Sequence, residues 1–258
     1  MALRISGKLR DDMMKGSGLA QAMSNCVLKV YTGSQPATAE TAPTGTLLAT
    51  YSNNSGAITR EVLATGSVAL TGGASGSINT LTVDGKEVMG SATSFNTSLT
   101  QTAADICTKI NNNPQNRLWD AANNSSATIT LTARPGLGAL ANSLTVASTA
   151  TTITKTDTST SGGVTAVNGL NWGTVAAGVL SSLAGQTWSG VAAASGTAGW
   201  FRFEAGVADA GGVDATESIR RMDGAIGTSG AELNMGNTTI TVATTQTITS
   251  FALSLPTA

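Results

Sequence analysis

The residues best equipped for chemistry in this chain are four carboxylates. Asp209, Asp214, Glu217 and Asp223 gather in a Gly-rich stretch, and hard oxygen ligands of this kind suit Ca²⁺. Their spacing matches no EF-hand loop, and Gly211-Gly212 between them marks a mobile turn. The expectation is therefore a solvated acidic loop without a metal. Arg220-Arg221, the only basic doublet, follows Thr216-Glu217-Ser218-Ile219 and is expected to pair with those acids or with an acid of a neighbouring subunit. Exposed pairs contribute about 0–1 kcal/mol, so the doublet is assigned no site.

Other chemistries fall away on residue type. The chain has no histidine, which removes imidazole bases, Ser-His-Asp and Cys-His catalysis, and His-containing metal sites. Cys26 and Cys107 lack metal-ligand spacing, and each reads as a small buried apolar residue rather than half of a disulfide. Gly16-Ser17-Gly18 and Gly72-Gly73 invite a phosphate-loop reading, but no Lys-Ser/Thr pair follows and no strand–helix–strand unit surrounds them. A glycan platform would need exposed aromatics among Trp119, Trp172, Trp188 and Trp200. Trp188 and Trp200 lie in strand-like runs and are expected in the core, whereas Trp119, in Asn116-Arg117-Leu118-Trp119-Asp120, is expected in an exposed loop. A glycan hydrolase would need two facing acids about 5–10 Å apart, and the sequence singles out no such pair. No catalytic, cofactor-binding or metal-binding residue is assigned, and no cofactor is expected.

Composition sets what these residues sit in. Of 258 residues only 11% are charged, against roughly 25% in an ordinary soluble domain. Fourteen basic against 15 acidic residues leave no long-range field, which argues against nucleic acid or an anionic membrane as partner. Hydrophobic residues make up 41%, which with a net charge of −1 argues for a folded chain. Residues 1–15 carry charge without an apolar segment, and no run of about 18 apolar residues occurs. The expected setting is a cytoplasm, or a particle assembled there.

The elements that must position these residues are mostly strands. Residues 8–23 suggest one helix with Leu9, Met13, Ala20 and Met23 on a stripe, weakened by Gly16 and Gly18. Strands are expected at 26–31, 46–51, 67–70, 78–83, 86–89, 127–133 and 143–147, with Asp84-Gly85 as a hairpin turn. Between them, 102–111 reads as a helix with Thr102 as N-cap, Ala103, Ile106, Cys107 and Ile110 on one face, and Pro114 ending it. The Thr-rich run 149–163 reads as an edge strand or a linker. Further strands are expected at 175–180, 186–191, 200–203, 238–243 and 247–255, the last ended by Pro256. Alternation along Trp200-Phe201-Arg202-Phe203 places Phe201 and Phe203 on a core face and Arg202 on the other.

Several segments resemble a family of small virion structural proteins of tailed phages, of the capsid-decoration or neck type. They are Leu28-Lys29-Val30-Tyr31-Thr32-Gly33-Ser34-Gln35-Pro36, Thr44-Gly45-Thr46-Leu47-Leu48-Ala49-Thr50, Ser195-Gly196-Thr197-Ala198-Gly199-Trp200-Phe201-Arg202, Gly227-Thr228-Ser229-Gly230-Ala231-Glu232 and residues 249–256. They cover about half the chain. The stretch 57–165 departs from that pattern. Its Ile78-Asn79, Thr102-Ala103-Ala104-Asp105-Ile106, Ile110-Asn111 and Thr128-Ile129-Thr130-Leu131-Thr132 resemble the IN-type module of flagellin-related and phage surface proteins.

The resulting expectation is a mainly β protein: a β-sandwich or jelly-roll-like outer domain (1–56 with 166–258) interrupted by a small inserted α+β domain (57–165). The resemblance implies a structural, non-enzymatic virion component, a capsid decoration or cement protein or a neck or collar protein. Its expected partners are the major capsid or neck and tail proteins of the same virion and further copies of itself. A receptor- or glycan-binding module of a head or tail fibre is the alternative, and its distinguishing feature would be an exposed aromatic cluster around Trp119.

Overall fold

Strands hold 41% of the protein and helices 12%, in several antiparallel sheets with no closed barrel. The computed structural model describes residues 3–216 and 218–254, so Glu217 and Pro256 lie outside the described residues. Two compact units divide the chain: Met1–Glu61 with Ala166–Ala258, and Val62–Thr165.

The first unit opens with β1 (Arg4–Ile5), α1 (Gly7–Met14), α2 (Leu19–Ala22), β2 (Val27–Thr32) and β3 (Leu47–Asn53). The second contains β4 (Thr65–Gly72), β5 (Ser77–Val83), β6 (Lys86–Glu87), β7 (Thr93–Ser94), α3 (Leu99–Asn112), β8 (Trp119–Ala122), β9 (Thr128–Ala133), a 3₁₀ turn at Gly138–Ala141, β10 (Val146–Thr151) and β11 (Thr154–Ser161). The chain then completes the first unit with β12 (Val179–Ser181), β13 (Trp188–Val191), β14 (Gly196–Glu204), β15 (Arg221–Gly227), β16 (Leu233–Asn234), β17 (Thr239–Ile240), β18 (Thr245–Ile248) and β19 (Ala252–Ser254).

In the first unit the main sheet runs β1-β15-β14-β2-β3-β13-β18, with β16 beside β15 and β17 beside β14. Its central register aligns Tyr31 with Trp200, Lys29 with Arg202 and Arg202 with Asp223 on one face. The other face aligns Val30 with Phe201, Leu28 with Phe203 and Phe203 with Met222. That second face is the core. Phe201 and Phe203 are fully buried there with Trp172, Trp188 and Phe251, and Leu9, Met23, Leu170 and Leu180 cover them. Gly224, opposite Phe201, leaves room for the ring: an added Cβ would lie 2.4 Å from Phe201 Cζ.

In the second unit, β10-β5-β6 with β7 and β11-β4-β9-β8 enclose a core shared with α3. Alternation places Val68 and Leu70, Leu81 and Val83, and Ile129 and Leu131 inward, and a register shift in the β5–β10 pairing brings Ile78 inward as well. The Asp84-Gly85 turn has φ of +51° and +73°, as a type I′ hairpin requires. Asn111 fastens α3 to β8, because its side-chain amide donates to Ala121 O (2.8 Å) and accepts from Ala121 N–H (2.9 Å).

Several expectations are corrected. The helix expected over 8–23 is two pieces: Gly16 takes φ +94° and Gly18 caps α2, so Met13 is left at the surface while Leu9 and Met23 remain buried. The N-cap of α3 is Ser98, which accepts from Gln101 N–H; Thr102 lies inside the helix and donates to Ser98 O. Of the two readings of the Thr-rich run the edge strand holds and the linker does not, since β11 pairs with β4 at the end of its sheet. The strand expected over 247–255 is split, because β18 pairs with β13 and β19 with β12. Between them Phe251 enters the core.

Candidate functional site

The chemically equipped residues of the first unit converge on the face of its main sheet opposite the aromatic core. Strand periodicity puts Lys29 and Tyr31 of β2, Trp200, Arg202 and Glu204 of β14, and Arg221 and Asp223 of β15 on this side. Such a face would ordinarily meet water or a second sheet. Here it is closed by an irregular segment, residues 35–44, laid across it as a roof. Arg202, Glu204, Arg221 and Asp223 are each 0% exposed as a result.

Burial on this scale requires every charge to have a partner. Arg202 makes a two-pronged contact with Asp223, both bonds 2.7 Å, and donates to Thr41 O of the roof. Arg221 does the same with Asp209 at 2.6 Å and 2.6 Å, and reaches Ala39 O and Gly212 O. Glu204 accepts from Lys29 (2.6 Å) and Arg60 (2.8 Å). Arg220 pairs with Asp12 of α1, and Arg4 donates to Pro36 O. Tyr31 and Trp200 stack at 4.5 Å, Arg202 lies 5.5 Å from the Trp200 ring, and the indole N–H donates to Thr44 O. Five roof carbonyls, those of Pro36, Ala39, Glu40, Thr41 and Thr44, are thus satisfied by side chains of the sheet.

Proton affinities follow from these contacts. Burial pushes Asp209 upward, but the Arg221 guanidinium and Gly211 N–H outweigh it and hold the carboxyl below its ordinary value. For Asp223 burial wins over Arg202, and the carboxyl is raised. Burial likewise opposes Asp214 and Glu40, yet backbone N–H donors, Ile219 and Ser218 for the one and Gly7 for the other, leave both lowered. Burial pushes the Cys26 thiol far up and the Cys107 thiol to about 11, so both stay protonated and unreactive at neutral pH.

Asp209, Asp214 and Asp223 do not form the solvated, mobile loop expected of them. Each is committed to its own partners: Asp209 to Arg221, Asp214 to Thr216, Ser218 and the Ile219 N–H, and Asp223 to Arg202. Among the described residues no group of three or more Cys, Asp or Glu side chains is arranged to hold a metal ion. The Arg220-Arg221 doublet is internal, not an exposed pair. Trp119 is also corrected. It is 3% exposed, sits on β8 and packs in the core of the second unit, its backbone clamped by the buried Asn116 amide. The loop reading missed it because the flanking Asn, Arg and Asp look polar. Yet Trp119 and Ala121 do alternate inward along β8. Trp172, Trp188 and Trp200 are buried as well.

β15 went unread in the sequence. Arg221-Met222-Asp223-Gly224-Ala225-Ile226 alternates charge and apolar residues, the signal of a strand with two different faces. Both faces are buried, and that is what the charges concealed.

Fold and site together define a mainly β, sandwich-like protein whose main sheet carries a layer of buried ion pairs on the face opposite its aromatic core. No protein-family model, curated protein or solved structure matches the chain.

Proposed function

We propose that this chain is a structural, non-enzymatic subunit of a tailed-phage virion, a capsid decoration or cement protein or a neck or collar component. It acts by burying surface against other virion proteins and further copies of itself. The observation that carries the reading is the destination of the charged residues. Asp12, Glu204, Asp209 and Asp223 are each locked onto a guanidinium or ammonium group, and the arginines held by Asp209 and Asp223 fix the roof to the sheet. A carboxylate held in this way is a fastener rather than an acid or base presented to substrate. The family-like segments around Tyr31 and Trp200 form this same assembly, their rings stacked face to face. Many modest contacts made by such rigid blocks add through multivalency.

The adhesion alternative looked to an exposed aromatic cluster around Trp119. That side chain is buried, so no specific observation favours it.

Quantifying the chain by mass spectrometry in purified particles, and comparing the heat tolerance of particles with and without it, tests the proposal. Expected are a fixed copy number per particle and earlier genome loss in its absence. Absence of the chain from particles refutes the proposal, as do fully stable particles that merely attach poorly to cells.

A further inference from the structure

The second unit carries an apolar cleft that the buried-charge argument leaves without a role. It has a volume of about 120 Å³ and lies between the β5–β6 hairpin, the segment 115–119 and the segment 137–144. Leu118, Leu137 and Leu144 are half-buried along it, with Val83 and Val88 at its floor. Removing one core side chain leaves a hollow on the order of 150 Å³ in a well-packed protein, so this cleft takes one aliphatic side chain. At its rim stands Leu140, on the 3₁₀ turn Gly138–Ala141 and 80% exposed. Leu140 protrudes further than any other described leucine, from a unit whose outer strand positions are largely Thr and Ser.

A knob of one leucine beside a hole for one leucine is self-complementary. A two-fold axis at the rim would seat each Leu140 in the cleft of the other copy, which is the geometry of an isologous contact. The rim charges suit the same occupant. Lys86 and Arg117 stand there with Asp84 and Glu87, all exposed, so a two-fold partner presents both signs to both signs. A strongly acidic or basic partner would find half of the rim repulsive. We propose that this face of the second unit is an interface between two copies of the chain, with Leu140 of each in the Leu118–Leu137–Leu144 cleft of the other.

The proposal supplies a surface for the self-association in the virion reading and to that extent rests on it, but its test needs no particle. Sedimentation velocity of the full chain across a wide concentration range should show reversible self-association. Leu140→Asp should weaken it at least about tenfold, since a central apolar contact is the usual seat of binding energy. Leu140→Met should retain it, and circular dichroism and melting of both variants should match the parent because the side chain is exposed. As an independent readout, Leu140→Cys should be captured as a covalent dimer by a short bis-maleimide, the two natural cysteines being buried. A parent chain that remains monomeric throughout overturns the proposal, and so does association that Leu140→Asp leaves unchanged. A chain that pairs through Leu140 yet is absent from particles would sink only the virion reading. A chain present in particles but monomeric in solution would sink only this interface.

Discussion

Replacing Asp223 by Asn removes one charge from the buried layer while keeping the side chain's shape. Asp223 and Arg202 are both 0% exposed and joined by two 2.7 Å bonds, and Arg202 is otherwise held by Thr41 O at 3.0 Å and the Trp200 ring, both uncharged. The variant therefore leaves a guanidinium in low dielectric without a counter-charge. Breaking a buried pair from one side costs about 3–5 kcal/mol, a large part of the 5–15 kcal/mol that typically holds a domain together. Guanidinium titration followed by far-UV dichroism and by the tryptophans of each unit should show the transition of the first unit shifted to lower denaturant. The transition of the second unit should stay in place, because the two cores are separate clusters. Limited proteolysis should open first within residues 35–44, whose carbonyls depend on these arginines. The paired replacement Arg202→Met with Asp223→Leu removes both charges at similar volume and should be neutral or stabilising. A loss below about 1 kcal/mol for Asp223→Asn, the range of an exposed pair, would show that water reaches this layer and would refute the roof as its seal.

Phe203→Ala should cost about 3–5 kcal/mol, since the ring contacts Trp172, Trp188, Phe201 and Phe251; an unchanged denaturation midpoint would contradict that packing. Ser98→Ala should lose about 1 kcal/mol from the second unit through its N-cap, and a smaller loss than for an exposed mid-helix change such as Thr108→Ala would return the capping role to another residue. Asp209, Asp214 and Glu40, with lowered carboxyls, contribute stability that is present above their unfolded values and lost as pH falls through the folded ones. The first unit should therefore weaken below about pH 4, and a melting temperature flat from pH 7 to pH 2 would contradict this. Cys26 and Cys107 should resist a disulfide reagent until the units unfold, whereas rapid native-state reaction of either would place it at the surface.

Alternation made the inward positions of β4, β9 and β14 legible, and a type I′ turn at Asp84-Gly85 follows from residue type alone. What stayed hidden has a common cause. Sequence reading equates charge with solvent, and in the first unit that equation fails. Arg202 pairs with Asp223 on the next strand, Glu204 with Lys29 and Arg60, and Arg221 with Asp209, all outside the immediate sequence neighbourhood, so no local window displays the compensation. Trp119 was hidden likewise, by Asn116 and Asp120, whose polar groups serve the backbone and Arg134 rather than water. Ser98-Leu99-Thr100-Gln101, in contrast, did carry a capping signal three residues before Gln101. Thr102 and Asp105 offered a similar spacing one turn later.

The roof is gripped through its peptide carbonyls at five positions. Backbone oxygens are the same on every residue, so the arginines and the Trp200 indole hold the shape of the segment and not its spelling. Ala37 and Thr38 point outward between gripped positions. Those two positions are therefore free to drift, or to carry a grafted residue, while Pro36 and Ala39 stay buried, Glu40 keeps its bond to Gly7 N–H and the path over the sheet stays fixed. The burden of inheritance falls instead on Arg4, Arg202 and Arg221, which hold the path of the strip from beneath.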